Sequence, residues 1–137
     1  MMRTAVIGVF TQIAICAALM ALPVAGGKTP GEGACNVERG HAVFVKCAIC
    51  HTNDASGAHS AGPNLHGIIG RRIAAALGFT YTVALKGYGE QWSLEKLDRF
   101  IADPQGEVPG TTMAFAGLKK PDDRRNLLCY LGSASGM

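Results

Sequence analysis

The chain shows no period-two alternation of apolar and polar residues, so no half-buried β-strand is expected in it. No internal repeat is visible. Charge of one sign is scarce: the formal net charge is +3, and it falls to +2 when Arg3 is discounted. A bias that weak and that evenly spread argues against nucleic acid as a partner. Closely spaced cysteine pairs are limited to one, Cys47 and Cys50, and no βαβ pattern surrounds it. The first absence counts against a four-thiolate zinc site, and the second against a thioredoxin-like redox couple.

The one long apolar run lies at the start. Arg3 is followed by apolar residues from Ala5 to Leu22, broken only by Thr11 and Gln12, and then by the small residues Ala25, Gly26 and Gly27. This is the pattern of a secretory signal peptide over residues 1–26, cleaved near Gly26 after Val24-Ala25-Gly26. An uncleaved anchor is the second reading, since about 20 apolar residues cross a bilayer. Both readings put the remainder outside the cytoplasm. Residues 27–36, rich in Gly and containing Pro30, read as a flexible leader, and residues 37–137 as one small domain.

Within that domain stands Cys47-Ala48-Ile49-Cys50-His51. Two thiols three residues apart, with an imidazole directly after the second, can add to the two vinyl groups of a haem while the histidine takes its iron. One helical turn brings all three groups together. A large apolar cofactor fixed covalently at the centre would also supply burial that so small a domain lacks. Of the other cysteines, Cys16 falls in the signal, which leaves Cys35 and Cys129 in an oxidising compartment. Cys129 is taken as a small buried hydrophobe on an apolar helix face, with a Cys35–Cys129 disulfide as the alternative.

Helical periodicity marks three segments. From Val37 to Ile49, Gly40, Phe44 and Cys47 share a face, with Asn36 as N-cap and Glu38 in the first turn. A second helix starts at the cap Ser93, turns Leu94, Leu97 and Ile101 inward, and stops at Asp103-Pro104. A third opens on Pro121 with Asp122 and Asp123 in its first turn, turns Leu127, Leu128 and Leu131 inward, and stops at Gly132. The stretches Thr52 to Arg72 and Gln105 to Lys119 are rich in Gly and Pro and need something other than a backbone ladder to hold them. A haem would do so.

A second axial group is needed opposite His51. Met113, presented from the Pro109-Gly110 turn, is the best candidate, because the other methionine beyond the signal, Met137, stands at a terminus. His41 is on the thiol-bearing helix and too near to reach the opposite face. His59 and His66 follow the motif closely and read as structural, hydrogen-bonded histidines.

Taken together, Gly40-His41-Ala42-Val43-Phe44-Val45-Lys46-Cys47-Ala48-Ile49-Cys50-His51, Gly62-Pro63-Asn64-Leu65-His66-Gly67 with Gly70-Arg71, Gly78-Phe79-Thr80-Tyr81, Trp92, Pro109-Gly110-Thr111 with Met113, and Phe115-Ala116-Gly117 resemble a class I c-type cytochrome. The likeness is to the mitochondrial type and its soluble, alphaproteobacterial-like relatives, and it covers Gly40 to Leu131. It implies an all-α fold of a few helices wrapped around one covalently held haem c, working as a one-electron carrier and not as an enzyme. The first and last helices would cross, setting Gly40 and Phe44 against Leu127 and Tyr130. By the same resemblance His51 and Met113 ligate the iron, and the Pro63 carbonyl accepts the other ring N–H of His51. Arg71, Tyr81 and Trp92 would bind the propionates, and His59 would tie loops together.

The chain departs from the pattern at Leu85 and Phe100, where the family commonly has an asparagine and a tyrosine, so the Met113 side should be drier. Gln105, Gly106 and Thr112 replace common lysines, while Lys46, Lys119 and Lys120 remain. The reading is a periplasmic, monomeric carrier in a respiratory or photosynthetic chain. Its partners would be a quinol–cytochrome c oxidoreductase, a terminal oxidase or a dehydrogenase, with membrane attachment only through an uncleaved signal. Two alternatives are a peroxidase-like haem enzyme in which Met113 is off the iron, and a tethered electron-transfer subunit. No recognisable peroxidase acid–base pair is present.

Overall fold

The computed structural model describes residues 33–134. The signal segment, the start of the leader, Cys16 and Met137 lie outside the described residues. Among the described residues five helices follow one another: α1 (Val37–Ala48), α2 (Val83–Lys86), α3 (Leu94–Ala102), α4 (Pro104–Glu107) and α5 (Pro121–Ser133). Among the described residues the only β-type pairing is an isolated Arg72–Gln91 bridge. The architecture is all-α, as expected.

The sequence placed the long helices well because their starts are written locally. Asn36 caps α1 by accepting the Arg39 N–H at 2.7 Å, and Ser93 caps α3 by accepting the Lys96 N–H at 3.1 Å. α5 begins on Pro121, whose missing N–H has no bond to lose there, with Asp122 and Asp123 at the positive end of the dipole. It runs on through Gly132, which is buried and does not stop it.

α1 and α5 cross in contact. A Cβ on Gly40 would lie 2.0 Å from the Asn126 carbonyl oxygen and 2.7 Å from Tyr130 Cβ, so only glycine permits this approach. Phe44 packs its ring 5.2 Å from that of Tyr130, and Leu127 is 1% exposed. Leu97, Phe100 and Ile101 of α3, together with Trp92, complete the core.

Cys35 and Cys129 form a disulfide, with Cα atoms 5.8 Å apart. This corrects the reading of Cys129 as a lone buried hydrophobe. The crossing of α1 and α5 brings together two residues 94 apart in sequence, which no local pattern announces. The end of the expected leader is therefore fixed, since the Asn36 N–H also donates to Asn126 Oδ1 at 3.2 Å.

α2 and α4 are single turns that helical periodicity did not mark. Thr82 caps α2 by accepting the Leu85 N–H, and Asp103 caps α4 by accepting the Gly106 N–H. α4 is tied back to α3 through Glu107, which accepts Arg99 Nε at 2.9 Å and the Tyr88 hydroxyl. The hydroxyl and the guanidinium hold the Glu107 carboxyl below its ordinary range.

The stretch from Thr52 to Arg72 is organised around buried Asn64, 3% exposed. Its Nδ2 donates to Thr52 Oγ1 and the Asp54 carbonyl, both at 3.0 Å, and its Oδ1 accepts the His66 N–H at 2.8 Å. One amide thus serves three points of a loop that has no ladder of its own.

The disulfide closes a long loop, joining residues 94 apart, and chain-entropy arguments give long loops more stabilisation than short ones. The Cys35→Ser/Cys129→Ser double variant should lose about 2–4 kcal/mol of unfolding free energy. Denaturant titration against the oxidised wild type is the measurement, and overlapping curves would refute the brace.

Candidate haem site

The last turn of α1 carries the attachment motif. The Cys50 and His51 N–H groups both return to the Cys47 carbonyl, at 3.0 and 2.9 Å, so the chain stays coiled through His51. Cys47 and Cys50 are free thiols, Cys47 half-buried and Cys50 exposed. Burial pushes the Cys47 thiol up to about 11, with Lys46 opposing weakly. A thiol at the negative end of a helix and with a raised pKa is the reverse of the activated cysteine of a thioredoxin-like couple. Among the described residues no group of three His, Cys, Asp or Glu converges on a metal site.

His51 is held by backbone. Its Nδ1–H donates to the Pro63 carbonyl at 2.7 Å; a carbonyl only accepts, so this bond fixes the tautomer and leaves the Nε2 lone pair available. Gly62 lies flat against the ring: a Cβ there would fall 2.4 Å from Cε1. The Gly62 N–H donates to the Cys50 carbonyl at 2.7 Å, which locks this strip of chain to the motif. Burial lowers the basicity of His51, and the Pro63 bond only partly offsets this, so the ring is neutral and able to ligate.

Met113 is half-buried against the common core, as are Cys47, Leu65, Ile69, Leu85 and Phe115. Its N–H donates to Oγ1 of buried Thr111 at 3.3 Å, and its carbonyl accepts the Phe115 N–H at 3.0 Å. Phe100 is buried and lies 5.1 Å from Trp92, ring to ring, so with Leu85 it puts apolar surface where the resemblance would have polar groups.

Of the three residues expected at the propionates, Arg71 is linked to both others: the backbone N–H of Trp92 donates to its carbonyl at 2.9 Å, and its guanidinium interacts electrostatically with Tyr81. Arg71 also donates to the carbonyls of Asn64 at 2.8 Å and His66 at 3.1 Å, and so braces the Asn64 loop. Burial raises the Tyr81 phenol, partly countered by its hydrogen bond to the Ala76 backbone.

His59 spans two loops as expected, Nε2 donating to the Leu77 carbonyl at 2.8 Å and Nδ1 accepting the Asn64 N–H at 3.0 Å. His41 packs its ring 5.1 Å from that of Tyr130. Sequence reasoning missed Asn64 as the organiser of the loop. Its place beside Pro63 was the available signal, but the two acceptors of its amide nitrogen, on Thr52 and Asp54, stand twelve and ten residues away.

Two free thiols on one turn and an imidazole with one nitrogen tied to backbone, cradled where no Cβ fits, are the donor set that a covalently attached haem requires. The Cytochrome c family model matches residues 37–135. Among curated proteins the chain is 43% identical over 101 residues to a cytochrome c homolog of Bradyrhizobium diazoefficiens, covering 73% of this chain but only 55% of that relative's length. It is 41% identical over 97 residues to cytochrome c of Gossypium barbadense, covering 70% of this chain and 87% of the relative. To cytochrome c of Ulva intestinalis it is 41% identical over 107 residues, covering 77% and 93%. The chain belongs to the cytochrome c family, whose members bind haem c covalently and carry electrons.

Gly62→Ala should drive a methyl into the His51 ring and cost about 1–3 kcal/mol or more, with less covalent holoprotein recovered. Gly87→Ala, where an added Cβ meets nothing closer than 3.6 Å, is the control. Haem-stained denaturing gels and thermal unfolding of both variants measure the difference; equal behaviour would remove the cradle.

Proposed function

We propose that the protein is an exported, diffusible one-electron carrier of a periplasmic respiratory or photosynthetic chain, with His51 and Met113 as axial ligands. The observation that carries this reading is the Pro63-bonded, Gly62-backed imidazole directly after two free thiols. When bound, the haem supplies an iron that takes up and gives away one electron. Cys47 and Cys50 would hold its edge by thioether bonds, and Arg71, Tyr81 and Trp92 would hold its propionates. With His51 and Met113 both holding the iron, little rearrangement would accompany electron gain or loss. The apolar Leu85 and Phe100, in place of the family's common asparagine and tyrosine, would make the surroundings of the Met113 sulfur less polar and so tune the potential.

Export rests on the pattern of residues 1–26. No helix among the described residues is long and apolar enough to cross a membrane. N-terminal sequencing of the purified protein separates a free carrier, starting near residue 27, from a tethered subunit.

An absorption spectrum of both oxidation states with a potentiometric titration tests carrier and ligation together. Met113→Ala should lose the sulfur-to-iron charge-transfer band, fall in potential and gain peroxidase activity, whereas Met137→Ala should be silent. An unchanged band in Met113→Ala would rule out the distal assignment.

The docking face for an acidic redox partner is proposed around Lys46 and Lys120, with exposed Val45 and Ile49 beside the thiols. Lys119 also donates to the Ala102 carbonyl at 2.9 Å, so its loss would disturb the loop as well as the charge. The Lys46→Gln/Lys120→Gln variant should transfer electrons to a bacterial terminal oxidase severalfold more slowly at low salt and converge with wild type at high salt. Coincident curves at every ionic strength would dismiss the face.

A further inference from the structure

The segment that presents Met113 has no helix of its own between α4 and α5, yet both of its ends are clamped. At the far end a Cβ on Gly117 would lie 2.0 Å from the Ala102 carbonyl oxygen, and the Leu118 N–H donates to the Ile101 carbonyl at 2.8 Å. Arg124, paired through Nε with Asp98 at 2.8 Å, donates Nη1 to the carbonyls of Leu118 at 2.9 Å and Lys119 at 3.2 Å. At the near end the Thr111 N–H donates to the Val108 carbonyl at 3.0 Å.

Between the clamps, Gln105 reaches out of α4. Its Nε2 donates to the carbonyl of Thr111 at 2.9 Å and to that of Met113 at 3.2 Å. The two protons of one amide nitrogen thus fix the two carbonyls on either side of Thr112. α4 is a firm base for this grip, because Pro104 is fully buried and Glu107 is bonded to Arg99 and Tyr88. A lysine at this position, with a longer and freely rotating stem, would not present the same flat pair of donors.

We propose that Gln105 is a positioning residue for the axial thioether: it grips the Met113 backbone and so limits how often the sulfur leaves the iron. The inference rests on Met113 as the distal ligand. An exogenous ligand must wait for the sulfur to leave, so its apparent affinity reports the fraction of molecules in which the position is open. Two hydrogen bonds at a partly exposed site, each contributing at the low end of the usual range, correspond to a change of about fivefold in that fraction.

The experiment is an imidazole titration of the ferric holoprotein, followed by loss of the sulfur-to-iron band, in wild type, Gln105→Glu, Gln105→Leu and Gln105→Arg. Glu keeps the shape but donates nothing, Leu removes the donors without adding charge, and Arg retains donors. Gln105→Glu and Gln105→Leu should bind imidazole about fivefold more tightly, and Gln105→Arg should stay within about twofold of wild type. The lost bonds weaken the closed state against the open and the unfolded states alike, so denaturant midpoints should fall by no more than the same free energy, and imidazole affinity is the discriminating readout. Wild-type affinity in Gln105→Leu, or an Arg variant as open as the Leu variant, overturns the inference. Absence of the band from the wild type itself would overturn the Met113 reading first, and that failure is distinguishable.

Discussion

The contact on which the other features depend is the crossing of α1 and α5 at Gly40. With no side chain there, the Asn126 carbonyl enters the space a Cβ would fill, and the helices approach closely enough for Phe44 and Tyr130 to pack. α1 ends in the attachment motif, so fixing α1 fixes the thiols and His51. The Cys35–Cys129 disulfide and the Asn36–Asn126 bond hold the same crossing from its open end.

Around the motif, backbone does most of the positioning. His51 is oriented by a carbonyl and backed by a glycine, and the strip that supplies both is bonded to Cys50. Asn64 and Arg71 then hold the following loop through carbonyls. This is what a loop without a ladder needs, since each buried polar group must find a partner. Something other than a backbone ladder was expected to hold this stretch, and the Asn64 side chain supplies part of it.

The Met113 side is built differently. Leu85, Phe100 and Trp92 set an apolar surround, while the loop that carries the methionine is restrained at its ends by α3 and α5 and in its middle by α4. Gln105, where the resemblance would have a lysine, donates instead to two backbone carbonyls of the loop that carries Met113.

By itself the sequence determined the attachment turn, the caps at Asn36 and Ser93, the start of α5 at Pro121 and the helical class. Each is a pattern of residues within one or two turns, and the physics of capping, the dipole and 3.6-residue periodicity acts over that range. The short helices α2 and α4 escaped it, because a single turn has too few residues to show a period. Only the tertiary structure decided that Cys35 pairs with Cys129 across 94 residues, that Asn64 rather than its neighbours organises the loop, and that Gln105 faces Met113. Those choices depend on which distant groups the helix crossing brings within bonding distance, and distance in space is not written in the spacing of residues along the chain.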